Sequence, residues 1–476
     1  MNPPIALLDA LRQALGAAHV LTDGELIAYE QDWRQRERGR ALAVVRPGTT
    51  DEVAAVVRAC AAHGAAIVPQ GGNTGLAVGS VPDASGTQVL LSLRRMDAVR
   101  VIDAANLTLT VEAGCILQNL QGAAQEAGFL FPLSLAADGA TAFGGNLATN
   151  AGGTQVLRYG NARELCLGLE VVTPQGDIWD GLTGLRKDNT GYDLRNLFIG
   201  SEGTLGIITA ATMKLFPQPV ARLTAFAAVP SMQAAVRLLG LAHQHLSAGL
   251  TGFEVMGQFA LSLVVKHMPQ LRVPFAGMDG APYCVLLENS DSESEAHARQ
   301  RFESLLELAF EDGCVLDAVV AENLSQAHDL WHVRESIPLA QAQEGLNIKH
   351  DISVPTSRIP AFVEHADALL QREIAGVRLV NFGHLGDGNL HYNVQAPEGA
   401  DGKAFLREQE PRVNALVYDA VAQFGGSFSA EHGVGQLKTP QLQQYESPVA
   451  LSLMRSIKQA LDPQNIMNPG CMLAKD

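Results

Sequence analysis

The side chains with the clearest capacity for chemistry are imidazoles and carboxylates in two short glycine-bracketed segments near the carboxyl end. VNFGHLGDGNLHYNV contains His384 and His391, and AEHGVG contains Glu431 and His432. Seven residues apart on one straight strand, His384 and His391 would face opposite sides. The Gly-Asp-Gly-Asn between them is a hairpin turn signal, and a hairpin can bring both imidazoles together. Two histidines and a carboxylate suit a catalytic divalent metal, but the residues alone equally allow a polar surface hairpin.

Three glycine-rich stretches suggest a second kind of chemistry, the binding of an anion by backbone N–H groups. They are PQGGNTGL (69–76), PLSLAADGATAFGGNLATNAGG (132–153) and FIGSEGTLGIIT (198–209). Glycine lets the backbone approach a ligand closely, so successive N–H groups can point at one phosphate. Each stretch taken alone is more often an ordinary turn. The first lacks the GxGxxG fingerprint with an acidic ribose ligand, which argues against a nicotinamide-binding Rossmann domain.

Two cations stand in a third segment, LWHVRESIPLAQAQEGLNIKHDISVP. Arg334 is beside Trp331 in a pattern that predicts a helix, and Lys349 is on a strand that leads to Pro355. A guanidinium can bind a carboxylate through two parallel hydrogen bonds. A solvated charge is the commoner role of both residue types. The segment therefore indicates a candidate carboxylate-binding site.

The elements that must position these side chains follow from periodicity and turn signals. Residues 41–45 predict a buried strand, a Thr49/Glu52 capping box predicts a helix that Gly64 ends, and residues 66–69 predict the next strand. The first 38 residues predict a helical lead-in, and from residue 89 to residue 215 β-branched segments alternate with glycine turns. The Phe-Pro-Gln-Pro at 216–219 predicts a domain boundary. Long helical patterns follow over 220–375, then a hairpin at 378–394 and a last helix over 449–461. We predict an α+β chain.

Composition excludes several classes of function. The formal net charge of −16 gives no general attraction to nucleic acid or to anionic lipid. No stretch of 18 apolar residues predicts a transmembrane helix. We expect no secretory signal, because Met1-Asn2-Pro3-Pro4 does not begin a basic region followed by an apolar core. The six cysteines are scattered, which favours reduced thiols and a cytoplasmic location over a disulfide scaffold.

The three glycine stretches, in this order and spacing, resemble the vanillyl-alcohol-oxidase-type (PCMH-type) FAD-binding domain. The resemblance implies that FAD contacts Gly71, Gly72, Asn73, Thr74, Gly75, Gly144, Gly145, Asn146, Gly206, Ile207 and Ile208. Some relatives attach the flavin covalently through a histidine in the first stretch. Here that place holds Asn73-Thr74, so we expect noncovalent FAD.

The GHLGDGNLHYN and EHGVG segments resemble the C-terminal half of FAD-linked D-2-hydroxyacid dehydrogenases, which act on D-lactate or D-2-hydroxyglutarate. The resemblance implies metal ligands at His384, His391 and Glu431, with His432 as the proton acceptor. We expect Zn²⁺, with Mn²⁺ and Co²⁺ as alternatives. Asn393, two residues after His391 and on the same strand face, is a further candidate for substrate binding.

The domain organisation follows from the two resemblances. Residues 1–218 would hold the lead-in and the FAD-binding domain (core 38–217), residues 219–430 an α/β substrate or cap domain, and residues 431–476 a C-terminal helical segment that completes the active site.

Arg334 and Lys349 match carboxylate-binding positions of the D-2-hydroxyglutarate enzymes, and D-lactate enzymes generally lack the lysine. This favours a dicarboxylate, D-2-hydroxyglutarate or D-malate. Pro338 stands where those enzymes have a threonine, which puts the preferred chain length in doubt. The implied mechanism has the metal bind the substrate hydroxyl and carboxylate, His432 accept the proton, and a hydride pass from C2 to flavin N5.

Three alternatives stay open at this point. A D-lactate or glycolate dehydrogenase would use the same scaffold, a metal-dependent hydrolase would use the metal ligands without flavin, and a noncatalytic oxidase subunit would keep only the fold. The electron acceptor would be an electron-transfer flavoprotein or a quinone. The sequence leaves open whether the chain forms a homodimer.

Overall fold

The computed structural model describes residues 3–24, 26–135 and 138–474. The chain divides into two compact units. Unit 1 contains Met1–Gly152, Gly160–Gln218 and Glu431–Asp476, and unit 2 contains Gly153–Tyr159 and Pro219–Ala430. The break after Gln218 falls within the predicted boundary segment. Residues 153–159, which the sequence placed in the N-terminal domain, belong to unit 2.

The strands of the described residues follow in chain order. They are β1 (Val20–Leu21), β2 (Ala41–Val45), β3 (Ile67–Gln70), β4 (Gln88–Ser92), β5 (Val99–Asp103), β6 (Thr108–Glu112), β7 (Phe129–Leu130), β8 (Cys166–Val172), β9 (Ile178–Gly181), β10 (Ile207–Lys214), β11 (Phe216–Pro217), β12 (Ala221–Val229), β13 (Leu250–Gly257), β14 (Tyr283–Asp291), β15 (Asp317–Val320), β16 (Asn347–Ile348), β17 (Asp351–Ser353), β18 (Arg378–Gly383) and β19 (Asn389–Gln395).

The helices are given in the same order. They are α1 (Pro3–Leu15), α2 (Ile27–Glu30), α3 (Thr50–His63), α4 (Leu117–Glu126), α5 (Phe143–Ala148), α6 (Val156–Tyr159), α7 (Ala162–Leu165), α8 (Arg195–Phe198), α9 (Met232–Leu246), α10 (Gln258–His267), α11 (Glu295–Glu311), α12 (Leu324–Glu344), α13 (Ile359–Glu373), α14 (Gly402–Gln423), α15 (Thr439–Tyr445) and α16 (Pro448–Leu461). Among the described residues, none of these helices is long and apolar enough to span a membrane.

Unit 1 begins with a four-stranded sheet in the order β1-β2-β4-β3. Helix α3 connects β2 to β3, and its side chains Val53, Val56, Val57 and Cys60 are fully buried in the core. The oxygen of Thr49 caps α3 by accepting from the N–H of Glu52 at 3.2 Å. The predicted capping box is only half formed, because the Glu52 carboxylate accepts from Gly48 instead.

The remaining strands of unit 1 form mainly an antiparallel sheet in the order β5-β6-β10-β8-β9. The first glycine stretch begins in the last two residues of β3, the second contains α5, and the third leads into β10. Ala136 and Ala137, in the second stretch, lie outside the described residues. The prediction of a helical lead-in was wrong in one respect, since β1 pairs with β2 and Val20 is buried opposite Val45.

Unit 2 is built on one sheet in the order β15-β12-β14-β13-β18-β19-β16, with β17 paired to β19. Neighbouring strands are antiparallel throughout the described pairings. Helices α10 and α12 cover one face, where Phe226, Leu286, Val333 and Ile337 belong to one buried cluster. The predicted hairpin is confirmed, because β18 and β19 pair with Phe382 opposite His391.

Candidate active site

A single groove in unit 1 collects the residues of all three glycine stretches. Its walls include all eleven residues for which the resemblance implied contact with FAD. His432 also lines it.

The local packing explains why one of these positions must be glycine. A Cβ on Gly72 would lie 2.3 Å from the carbonyl oxygen of Ala140, so a larger residue would push two loops of the groove apart. By contrast, a Cβ on Gly75 or Gly145 would meet no described atom within 4 Å. At these two positions the bare backbone faces open space, as a backbone that binds an anion must.

Two asparagines of the groove, Asn73 and Asn146, differ in how their amides are hydrogen-bonded. Asn73, at φ 57°, donates to the carbonyl of Gln31 at 2.8 Å and accepts from the Ser80 hydroxyl at 3.0 Å, so its amide holds the first loop in shape. The Asn146 oxygen accepts from Thr141 at 2.6 Å. Its Nδ2 is buried without a hydrogen-bond partner among the described residues. A buried donor of this kind requires an acceptor, and FAD, with its phosphate and carbonyl oxygens, fits the groove.

Unit 2 contains a buried charge network centred on Glu254 of β13. Its Oε1 lies 2.7 Å from His384 Nδ1, and its Oε2 accepts from Arg334 Nε at 2.8 Å. The Glu254 side chain is 1% exposed. Burial raises the pKa of Glu254, but the charges of His384 and Arg334 and their hydrogen bonds outweigh it and bring the pKa to about 2. The carboxylate is therefore ionised and fixes the Nδ1–H tautomer of His384.

The hairpin brings the two predicted imidazoles together. The ring centroids of His384 and His391 are 5.5 Å apart, with the rings at 77°. A histidine that donates Nδ1–H to a carboxylate presents its Nε2 lone pair on the opposite side of the ring, which is the usual arrangement of metal-ligating histidines. Asp351, opposite His391 on β17 and 2% exposed, adds a carboxylate oxygen 3.9 Å from His391 Nδ1. The donor types in unit 2 thus fit a divalent metal.

The remaining predicted residues occupy different surroundings. Arg334 lies in α12 as expected, and its guanidinium packs 4.9 Å from the ring centre of Phe382. Lys349 lies between β16 and β17 and is partly exposed, so the single strand predicted there is interrupted.

Asn393 is buried, donates to Gln341 at 2.9 Å and accepts from the N–H of His350 at 3.1 Å. Both ends of this amide are thus engaged within unit 2, and its role in substrate binding stays a prediction.

Glu431 and His432 begin the last segment of unit 1. Glu431 directly follows Ala430, whose N–H donates to the carbonyl of Asp351 at 3.3 Å in unit 2. Consecutive Cα atoms are about 3.8 Å apart, so the chain path itself keeps the backbone of Glu431 near that of Ala430.

Sequence reasoning missed Glu254 and Asp351. Glu254 had a usable signal, because it is an acidic residue between Phe253 and Val255 in an apolar strand, where an unpaired charge would be costly. Asp351 had a weaker one, since Lys349 and His350 precede it and make the segment resemble a polar surface.

Both halves of the chain match known protein families. Residues 41–181 match the family model "FAD binding domain", and residues 218–472 match "FAD linked oxidases, C-terminal domain". A relative from Oryza sativa subsp. indica, "Probable D-2-hydroxyglutarate dehydrogenase, mitochondrial", is 37% identical over 98% of this chain and 82% of its own length. The D-2-hydroxyglutarate dehydrogenase of Xanthomonas citri pv. viticola is 40% identical over 97% and 95%.

A solved structure shows the same fold. p-Cresol methylhydroxylase with substrate bound superposes with a TM-score of 0.78 at 17% sequence identity, over 100% of this chain and 98% of its own. The predicted fold class, a vanillyl-alcohol-oxidase-type FAD-binding domain followed by a second domain, is confirmed. The chain therefore belongs to the FAD-linked oxidase family and is an FAD-dependent oxidoreductase.

Proposed function

We propose that this protein oxidises the CH–OH group of D-2-hydroxyglutarate to the 2-oxo acid, with FAD and a divalent metal bound. The observation that carries the proposal is the position of His432 in the wall of the groove that fits FAD, because an imidazole there could accept a proton close to a bound flavin. The names of the relatives from Oryza sativa and Xanthomonas citri support the substrate. When bound, FAD would supply the two-electron redox chemistry.

Three residues would hold the metal: His384, His391 and Glu431. The hairpin geometry and the carboxylate behind His384 support the two imidazole ligands. Glu431 follows Ala430 along the chain, and the N–H of Ala430 donates to the carbonyl of Asp351. A divalent ion there, Zn²⁺ in the first instance, would lower the pKa of a coordinated substrate hydroxyl.

Arg334 would bind the substrate carboxylate that is next to the reacting carbon. Its Nε–H is taken by Glu254, and no described residue accepts a hydrogen bond from its two terminal nitrogens. Glu254 would keep the guanidinium in one orientation and offset its buried charge. Lys349 would bind the distal carboxylate. Pro338, in α12 four residues after Arg334, provides no hydroxyl donor, and this favours D-malate as a second candidate substrate.

His432 would accept the hydroxyl proton as the substrate is oxidised. An imidazole is suited to this role because its ordinary pKa is close to neutral pH. Electrons would then leave through an electron-transfer flavoprotein or a quinone. The Oryza sativa relative is named as mitochondrial, so the cytoplasmic location expected from the sequence stays a prediction.

The test is rapid-mixing measurement of flavin reduction without oxygen. His432→Ala should slow reduction by D-2-hydroxyglutarate by about 10²–10⁴-fold, with a much smaller change in the substrate concentration at half saturation. His63→Ala, on the exposed end of α3, is the matched control and should reduce at the wild-type rate. A wild-type reduction rate in His432→Ala would assign the proton acceptor to another group.

A further inference from the structure

A single carboxylate in unit 1 connects the third glycine stretch to the segment that carries His432. Glu202 Oε1 accepts from the N–H of Val434 at 2.7 Å, and its Oε2 accepts from the N–H of Gly435, also at 2.7 Å. Both donors follow His432 within three residues. Glu202 and His432 line the same groove.

Glu202 makes two further contacts, and the one to its backbone is the stronger. The Asn468 side chain donates to the Glu202 backbone carbonyl at 2.8 Å, whereas the Cys471 thiol, a weak donor, lies 3.2 Å from Glu202 Oε2. Glu202 itself has a φ of 53°, an uncommon conformation for a residue with a side chain. The surroundings therefore hold the carboxylate in one place instead of leaving it to adjust to the loop.

The loop of residues 433–435, which follows His432, has little room to adjust by itself. Gly435 has a φ of 55°, and a Cβ there would lie 1.9 Å from the carbonyl oxygen of Ala77. The loop backbone is thus pressed against Ala77, directly after the first glycine stretch, on one side and hydrogen-bonded to Glu202 on the other. Because the loop is held on both sides, the backbone that follows His432 has one fixed path.

We propose that Glu202 is a positioning residue for His432. By accepting both backbone N–H groups it would hold residues 433–435 so that the imidazole stays in the wall of the groove. The role in catalysis rests on the proposed function of His432, whereas the loop contact itself does not. A simple tether for the carboxyl-terminal tail is the competing explanation.

Glu202→Gln is the informative substitution, because it keeps the size of the side chain and replaces one accepting oxygen by an NH₂ group. One of the two loop N–H groups then loses its acceptor. Cys471→Ala is the matched control, since it removes the thiol and leaves both N–H contacts in place. Hydrogen exchange of the peptide over residues 431–437, FAD content and the anaerobic flavin reduction rate are measured on each FAD-loaded protein.

In Glu202→Gln we expect exchange at Val434 and Gly435 to accelerate by about tenfold or more, since one of the two N–H groups loses its acceptor. Flavin reduction should slow by about tenfold or more while half-saturation changes less than about threefold. Cys471→Ala should stay within about twofold of wild type in both. If Glu202→Gln does not accumulate, Glu202→Asp, which keeps both oxygens on a shorter stem, is measured against the same thresholds.

The two readouts separate the possible failures. Unchanged exchange in the loop would overturn the proposal. Faster exchange with a wild-type reduction rate would also overturn it and leave Glu202 as a tether of the tail. If His432→Ala reduces flavin at the wild-type rate, the assignment of His432 as the base fails, and the exchange result then reports on the loop contact alone.

Discussion

Glu254 is the buried residue whose replacement should have the largest combined effect on stability and metal binding. Glu254→Gln keeps the shape of the side chain but removes the charge that offsets Arg334, whose side chain is 7% exposed. The amide also presents only one acceptor, so either Arg334 Nε–H or His384 Nδ1–H loses its partner. Removing one member of a buried ion pair costs about 3–5 kcal/mol, and we expect a loss of that size in the free energy of unfolding.

The same change should weaken metal binding, because His384 would lose the carboxylate that fixes its tautomer and orientation. Removing the group that accepts a hydrogen bond from a metal-ligating histidine typically reduces metal affinity about 10–100-fold. Glu288→Gln is the control on the neighbouring strand: Glu288 is also buried, but it accepts from the neutral donors Thr251 and Trp331. Losing one such hydrogen bond should cost about 1 kcal/mol and leave metal affinity within about twofold.

The assays are urea unfolding of the metal-free proteins and metal titration in competition with a coloured chelator. Glu254→Gln should differ from Glu288→Gln in both. If the two variants lose equal stability and bind Zn²⁺ as tightly as wild type, then Glu254 neither offsets Arg334 nor orients a metal ligand, and the reasoning about the network is refuted.

Three further predictions concern specificity, acid stability and the flavin. Lys349→Met should lower turnover of D-2-hydroxyglutarate and D-malate by roughly ten- to a hundredfold and leave slow D-lactate turnover nearly unchanged. Equal losses on all three substrates would show that Lys349 does not bind a distal carboxylate. Hydrogen bonding from Lys266, His267 and Arg378 lowers the pKa of Glu344 from 4.5 to about 2, so its contribution to stability is present above pH 4.5 and is lost as the pH falls toward 2. Glu344→Gln should therefore be less stable than wild type at pH 7, by no more than roughly 3 kcal/mol, and denaturant unfolding should show the gap closing between about pH 4.5 and 2; a gap independent of pH would contradict this. Acid or heat precipitation should release FAD into the supernatant, because the first glycine stretch has Asn73-Thr74 and no histidine; yellow precipitated protein would show covalent attachment.

The sequence predicted most of the elements that position the site, because strong local signals specify them. Residues 41–45 form β2 as predicted, and the turn between His384 and His391 gives the expected hairpin. The lead-in was harder to predict, since the two-residue strand Val20–Leu21 is stabilised by pairing with β2 and has no periodicity of its own.

The candidate site was predictable where the residues lie in short segments and unpredictable where they meet across the sheet. His384 and His391 share one hairpin, so their proximity could be read from a turn signal. Glu254 is 130 positions away from His384 along the chain and reaches it only because β13 pairs with β18. No local pattern encodes that register, and the same holds for Glu202 and the loop after His432, which are 232 positions apart.

The most direct test of the account is anaerobic reduction of the bound flavin by a panel of D-2-hydroxy acids, with and without metal. We expect D-2-hydroxyglutarate to bleach the flavin fastest, D-malate next and D-lactate slowly. A chelator should stop the bleaching while FAD stays bound, and an added divalent ion should restore it. Rapid bleaching by D-2-hydroxyglutarate in protein from which metal removal has been verified would contradict the metal-assisted oxidation proposed here, and no bleaching by any member of the panel would contradict the substrate class.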